Sequence, residues 1–495
     1  MRDSARVVRG EKRPAIVISV PLVWSVRNVL RSGLAELLER DFDIIYAVPP
    51  EGRELMRSEG VDEENIWPLE GAMPSRQRTL LLRVLRGAHA VRRPSDSDRV
   101  FSEWTSVRGG ASVTSGVRRG VYRTVGRLSV SNAVFRGLER REQALFTTEI
   151  PRSIAARIAE RQPVAGLSTT CVVDAERPLF AALRQAGVPT LTHVLSFDNL
   201  TSRGYLAIKG YDRYLVWQGR MGGELQRFYD VDAEAITETG TPQFDFHVQE
   251  RFRWTRDDTE RRLGLAPGRR YFAYCANHAH LTPTEPELVG RIIEECRKQP
   301  LLADRAWVVR LHPMDRYARW SELAERFSNV VVSHPWSRSD DSRYWCVPST
   351  EEFVLLGNTL RYADAALTVG STTALDSAVV DTPIVCVGFH TRAGSVEDRF
   401  YHDLHFTHHY KPIMDSGATP LARDLPSLCQ HLAHAVITRP EHQAARARLV
   451  ADVCGVVDGK AAQRIALAVW QAADSHMTAS AARRRGNLSL AGQGS

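Results

Sequence analysis

Short apolar runs rich in valine and isoleucine recur along this sequence, and the gaps between them carry helical patterns. Ala15–Val20, Ile44–Val48, Val164–Ser168, the run from Pro189, Arg213–Trp217 and the run from Ala235 form one series. Tyr271–Cys275, Ala306–Leu311, Val330–Val332, Ala365–Val369 and Pro383–Val387 form a second. Runs this short and this apolar, alternating with helices, predict parallel strands buried on both faces by crossover helices. Two such series in 495 residues predict an α/β protein of two Rossmann-like domains facing each other across a cleft. Residues 1–250 form the first domain and 251–474 the second. A polar, small-residue end at 475–495 is expected to be disordered.

The second domain announces itself by a helix start. Thr255 is followed by Asp257, Asp258 and Glu260, and Gly264 and Pro267-Gly268 then break the pattern. Its strand ends carry most of the chemistry. In Ala363–Val385 a buried strand runs into Gly370, which permits a tight turn, and Ser371, Thr372 and Thr373 then open a helix. Free amides and hydroxyls at such a place suit a pyrophosphate, whereas the plainer reading is ordinary helix capping. Asp376, in the first turns of that helix, is placed to accept hydrogen bonds from ribose hydroxyls, as an acid does in dinucleotide folds. Arg310 and His312-Pro313 stand at the end of another strand, where a cation and an imidazole reach the ligand-binding edge of a parallel sheet. His278 and His280 follow a third strand. They lack partners at metal-ligand spacing, so His278 is read as a donor contact and no metal site is expected.

In the first domain the sharpest feature is Ser196–Gly204. Its polar residues Asp198, Asn199, Thr201, Ser202 and Arg203 follow a strand directly. They are read as acceptor contacts, with Asp198 and His312 as candidate catalytic groups. Residues 74–142 form an odd insertion of fifteen arginines, no lysine and five acids, against a net charge of +7 for the whole chain. It reads either as a solvated set of helices or as a surface for anionic lipid or a phosphate-rich acceptor. No zinc-finger, KH or RNP pattern is present, which argues against nucleic acid. The seven scattered cysteines, with no CxxC pair, are expected as buried free thiols. No apolar run is long enough to span a bilayer and the start makes a poor signal peptide. The expected location is therefore cytoplasmic, at the inner face of the membrane if the insertion binds lipid.

Taken in order, SFDNLTSRG, YDRYLVW, ITETGTPQFD, EPEL, RLHP, ADAALTVGSTTALDSAVVDTPIV, HHY and DGKAAQRI resemble bacterial surface-polysaccharide glycosyltransferases of the GT-B fold. They are similar, more distantly, to CDP-glycerol glycerophosphotransferases and UDP-N-acetylglucosamine 2-epimerases. The resemblance covers roughly residues 160–470, and more loosely 14–60. It implies a nucleotide-sugar donor as substrate, no separate cofactor, and a glycan or lipid-linked acceptor. It also implies that Ser371, Thr372, Thr373 and Asp376 hold the donor's phosphates and ribose, and the family's His-Pro motif matches at His312 and Pro313. The family usually has Glu where Asp376 stands. The His-Gly pair typical of the glycerophosphotransferases is missing from the first half.

Overall fold

The computed structural model describes residues 13–71, 73–108, 124, 131–334, 348–438 and 441–491. Two parallel sheets organise them. The first has seven strands in the order β3-β2-β1-β4-β5-β6-β7 and the second six in the order β10-β9-β8-β11-β12-β13. In the first sheet these are β1 Ala15–Ser19, β2 Asp43–Val48, β3 Ile66–Pro68, β4 Ala165–Ser168, β5 Thr190–His193, β6 Arg213–Val216 and β7 Ile236–Glu238. In the second they are β8 Tyr271–Cys275, β9 Ala306–Arg310, β10 Val330–Ser333, β11 Ala365–Thr368, β12 Ile384–Val387 and β13 Leu421–Ala422. β1, β4, β8, β9 and β11 are buried along their whole length, as expected of strands covered on both faces. The expected two-sheet α/β architecture is therefore present. The short β3 and β13, with three and two residues, carried too little apolar pattern to be read from sequence.

Both sheets reverse their strand order at one point, between β1 and β4 and between β8 and β11. A crevice opens outside the carboxyl ends of strands at such a reversal. The predicted helix start after the linker is also present. Thr255 Oγ1 accepts from the Asp258 amide, the helix spans Arg256–Leu263, and Gly264 ends it in the left-handed region.

The expected disorder after residue 474 is corrected by one long helix, Ala461–Ala491. Alanine and arginine are strong helix formers, so the polar composition of this stretch does not break it. Its first turns do not pack in the second domain either. Ala462, Ile465, Val469 and Ala473 join Ile16, Ile18, Leu38 and Ile44 in the core of the first sheet. The chain thus returns to the first domain at its end.

The arginine-rich insertion sits on the crossover from β3 to β4, beside the reversal point. Helices Arg76–Arg92 and Asn132–Thr148 pack against each other around Leu81, Leu85 and Phe135. Neither a wholly solvated face nor a wholly lipid-facing one describes it. Arg78 is buried, bonding Glu142 (2.9 Å) and Glu149 (2.8 Å), and Arg93 pairs with Asp230. Residues 109–123 and 125–130, with four of the arginines, lie outside the described residues.

Helix Asp96–Arg108, also in the insertion, crosses to the other domain. Val100 and Trp104 belong to the core of the second sheet. The Trp104 ring stacks on Phe400 at 4.3 Å and 10°, and its Nε1 donates to the His280 carbonyl at 3.3 Å. The six described cysteines are buried free thiols, as expected, and Cys346 lies outside the described residues.

Candidate functional site

A cleft of about 810 Å³ lies between the two carboxyl edges. Its lining comes from the loops after β1, β2, β4 and β5 on one side and after β8, β9 and β11 on the other. The structure brings together, in this one cleft, Asp198, Asn199, Arg203, His278, Arg310, His312, Gly370, Ser371, Thr372, Thr373 and Asp376. Two expected acceptor contacts are not in the lining. Thr201 is buried with its hydroxyl on the Asp198 carbonyl (3.3 Å), and the Ser202 hydroxyl donates to the Asp198 carboxylate at 2.8 Å. Both sit in the single turn Asn199–Ser202, which rolls their side chains beneath Asp198.

The turn after β11 has the geometry that an anion needs. Gly370 has φ +69, and a Cβ there would stand 2.5 Å from Leu404 Cδ2, so glycine is required twice over. The Leu375 amide donates to the Thr372 carbonyl at 2.8 Å, and helix Thr373–Val379 begins. The Ser371 and Thr372 amides donate to no acceptor among the described residues. They are two of the orphan donors of a helix start. Asn277 Nδ2 ties the neighbouring loop to the Val369 carbonyl. The Asn277 amide is held by buried Glu285, which also accepts from Tyr274 (3.0 Å) and Thr282.

His312 accepts from the Met314 amide through Nδ1 at 3.0 Å. The ring proton therefore sits on Nε2. Burial, reinforced by His278, pushes His312 down to about 3. It enters the cleft as a neutral hydrogen-bond donor rather than an acid. Arg310 is not a free cation. Its guanidinium bonds Ser333 Oγ (2.8 Å) and both the carboxylate (2.9 Å) and carbonyl (3.0 Å) of Glu352.

Asp198 is half-buried, and desolvation alone would raise its carboxyl. His409, the Ser196 and Ser202 hydroxyls and Arg203 outweigh this and hold it below the usual carboxylate range. At neutral pH it is therefore an anion facing the cleft.

Asp376 has a partner set that the sequence did not show. Its Oδ1 accepts from His247 Nε2 (2.8 Å) and Gln243 Nε2 (3.1 Å), and Gln243 Oε1 accepts from Arg27 (2.9 Å). Burial lowers the Arg27 guanidinium to about 10 against the attraction of Asp376, so it stays charged. Trp24, Arg27, Gln243 and His247 all line the cleft and were missed. The ITETGTPQFD stretch marked the neighbourhood of Gln243. Nothing in the sequence marked Arg27, which opens the π-helical stretch Arg27–Arg31 after β1.

Buried acids and histidines give the fold an unusual pH response. His89, His193, His312, His405 and His409 are pushed by burial to about 3–4. The unfolded chain protonates them near pH 6.5, so their contribution is lost as pH falls below that value. Burial raises Glu176 and Glu224 to about 8, Glu285 to about 7 and Asp245 to about 6. These acids ionise in the unfolded chain first, so stability is lost as pH rises from about 4.5 to 8. The two sets oppose, and the denaturation midpoint is expected to peak between about pH 6 and 6.5. A midpoint that climbs steadily to pH 8 would contradict this accounting.

No protein-family model matches the sequence, and no curated protein sequence matches it. Solved structures do match in shape. The UDP-GlcNAc 2-epimerase from Neisseria meningitidis bound to UDP-GlcNAc is 9% identical, with 92% of this chain and 100% of that chain covered and a TM-score of 0.54. The glycotransferase of kitacinnamycin is 15% identical over 93% and 100%, with a TM-score of 0.49. Acinetobacter baumannii MurG is 10% identical over 93% and 99%, with a TM-score of 0.43. Two parallel sheets meeting at their reversal points, a final helix returning to the first sheet, and the likeness over the full length of the epimerase together identify the chain as a protein of the GT-B fold.

Proposed function

We propose that this protein is a glycosyltransferase that moves a sugar from a nucleotide-sugar donor to a hydroxyl of a glycan or lipid-linked acceptor. The observation that carries this reading is the juxtaposition across one cleft of the unengaged amides at Ser371 and Thr372 with the anionic Asp198. The turn and the start of its helix take the donor's diphosphate, and His312 Nε2 adds a neutral donor. The acceptor lies beside Asn199 and Arg203. As its oxygen bonds to the anomeric carbon, the bond to the departing phosphate breaks and Asp198 takes the hydroxyl proton. The negative charge that develops on the leaving diphosphate falls where the amides already point. Asp376 reaches the ribose with whatever acceptor capacity His247 and Gln243 leave.

A thermal-shift series with UDP, GDP, CDP, CMP and dTDP sugars tests the donor site, because a ligand bound only by the folded state stabilises it. One nucleotide is expected to raise the melting temperature, and Asp376→Ala to weaken its binding by about 1–3 kcal/mol. Transfer is expected to survive EDTA, since the turn supplies phosphate donors without a cation. No shift with any nucleotide would sink the reading.

A second reading is a nucleotide-sugar 2-epimerase, favoured by the likeness in fold to the Neisseria enzyme. Product analysis separates the two. An epimerase converts the donor with no acceptor present, whereas a transferase releases free nucleotide only as the acceptor is consumed.

The acceptor side of this reading includes a membrane surface. Among the described residues no helix is long and apolar enough to cross a membrane. Arg76, Arg86, Arg136, Arg140 and Arg141 are exposed on the insertion, together with Leu80, Met73 and Val134. Each basic residue near an anionic bilayer contributes about 1 kcal/mol, screened by salt. The protein is therefore expected to sediment with anionic liposomes at low salt and to be released when Arg76, Arg86, Arg136 and Arg141 become Glu. Equal sedimentation of that variant would leave the insertion a structural element and the enzyme unattached.

A further inference from the structure

The second sheet carries another cluster of polar side chains at its amino edge, on the far side from the cleft. Helix Leu425–Ile437 presents His431 and His434 three residues apart, hence on one face. Glu441 and His442 precede helix Gln443–Leu449. Glu441 Oε2 lies 3.3 Å from His434 Nε2, and the His434 and His442 rings are 5.8 Å apart. One ligand atom from each of His434, Glu441 and His442 lies within 4.8 Å of the other two. The three histidines also line a cavity of about 370 Å³ floored by Pro383 and Pro420 at the starts of β12 and β13.

We propose that His434, Glu441 and His442 form a zinc site with its fourth coordination position open toward that cavity. Two imidazoles and one carboxylate are a ligand set that suits Zn²⁺ over harder cations. Tetrahedral zinc with bonds of about 2.0–2.2 Å places its ligand atoms about 3.4 Å apart. No pair here, all being within 4.8 Å, has to close by more than about 1.4 Å. The His434 and Glu441 side chains are 49% and 54% exposed, so they turn inward without disturbing the core. The Thr438 hydroxyl donates to the His434 carbonyl at 2.8 Å and lies 3.1 Å from Nδ1 and 3.4 Å from Nε2 of that ring. Arg446, the cation in the same cavity wall, is offset by Asp381 at 2.7 Å. The ion clips the end of one helix to the start of the next. Because it lies at the amino edge of the second sheet, opposite the carboxyl edge that carries the Ser371 turn and faces the cleft, it takes no part in transfer.

The test is calorimetric titration of the tag-free, chelator-stripped full chain with ZnCl₂. One equivalent is expected to bind and to raise the melting temperature. His434→Ala and His442→Ala are each expected to lower the affinity at least as much as loss of a supporting residue does, about 10- to 100-fold. His434 is exposed and His442 half-buried, and neither belongs to the buried core, so the variants fold. His278→Ala, in the cleft, is expected to leave the affinity unchanged. Absence of stoichiometric binding, or binding that persists in the doubly substituted H434A/H442A chain, would overturn the proposal.

Discussion

Trp104→Ala is expected to destabilise the protein by about 3–5 kcal/mol, the size typical of deleting a buried aromatic. Trp104 belongs by sequence to the first domain but by packing to the second. Its ring lies flat on Phe400, it is 4% exposed, and Val100 one turn earlier is 5% exposed in the same core. Nearer the start of the same helix, Ser97 Oγ lies 2.8 Å from His409 Nδ1, and Phe101 lines the cleft. The helix therefore straps the two domains at one spacing across the site. Denaturant titration measures the loss, and Trp104→Phe, which keeps a stacked ring, is expected to recover much of it. A Trp104→Ala midpoint within error of the parent would show that the strap carries no load. Loss of stability with unchanged donor affinity would show that the strap holds the fold but does not set the cleft.

Asp198→Asn is expected to lower turnover about 100- to 10 000-fold, the usual range for removing a general base. Asparagine keeps the size of the side chain, and its one oxygen can still accept from either Ser196 or Ser202, which donate to different carboxylate oxygens. What it removes is the charge and the proton-accepting oxygen. Donor affinity, measured by calorimetry, is expected to stay within about 1 kcal/mol, since the diphosphate is held on the other side of the cleft. Turnover within a few-fold of the parent would remove Asp198 from the chemistry. A fall in donor affinity as large as the fall in rate would make it a binding residue instead.

Much of the frame was legible because it is local. The strand at Tyr271–Cys275 and the capped helix after Thr255 follow from buried apolar runs, turn glycines and capping residues within a dozen positions of one another. The same holds for the turn at Gly370. A strand ending in a glycine, followed by hydroxyl residues and a helix, can only place those residues at the carboxyl edge of its sheet. The rest depended on which elements meet. Arg27, Gln243, His247 and Asp376 converge from a helix after β1, the linker and the helix after β11. Asp376 was marked by its own segment, but Arg27 and His247 are unremarkable in theirs. The roles of His312 and Arg310 shifted for the same reason: burial keeps the imidazole neutral, and Glu352 takes the guanidinium. The final helix shows the division most clearly. The spacing of Ala462, Ile465, Val469 and Ala473 marks an apolar helical face, and sequence alone determines that much. Which core that face enters is decided by tertiary structure, because the hydrophobic effect rewards buried area without naming the partner that buries it.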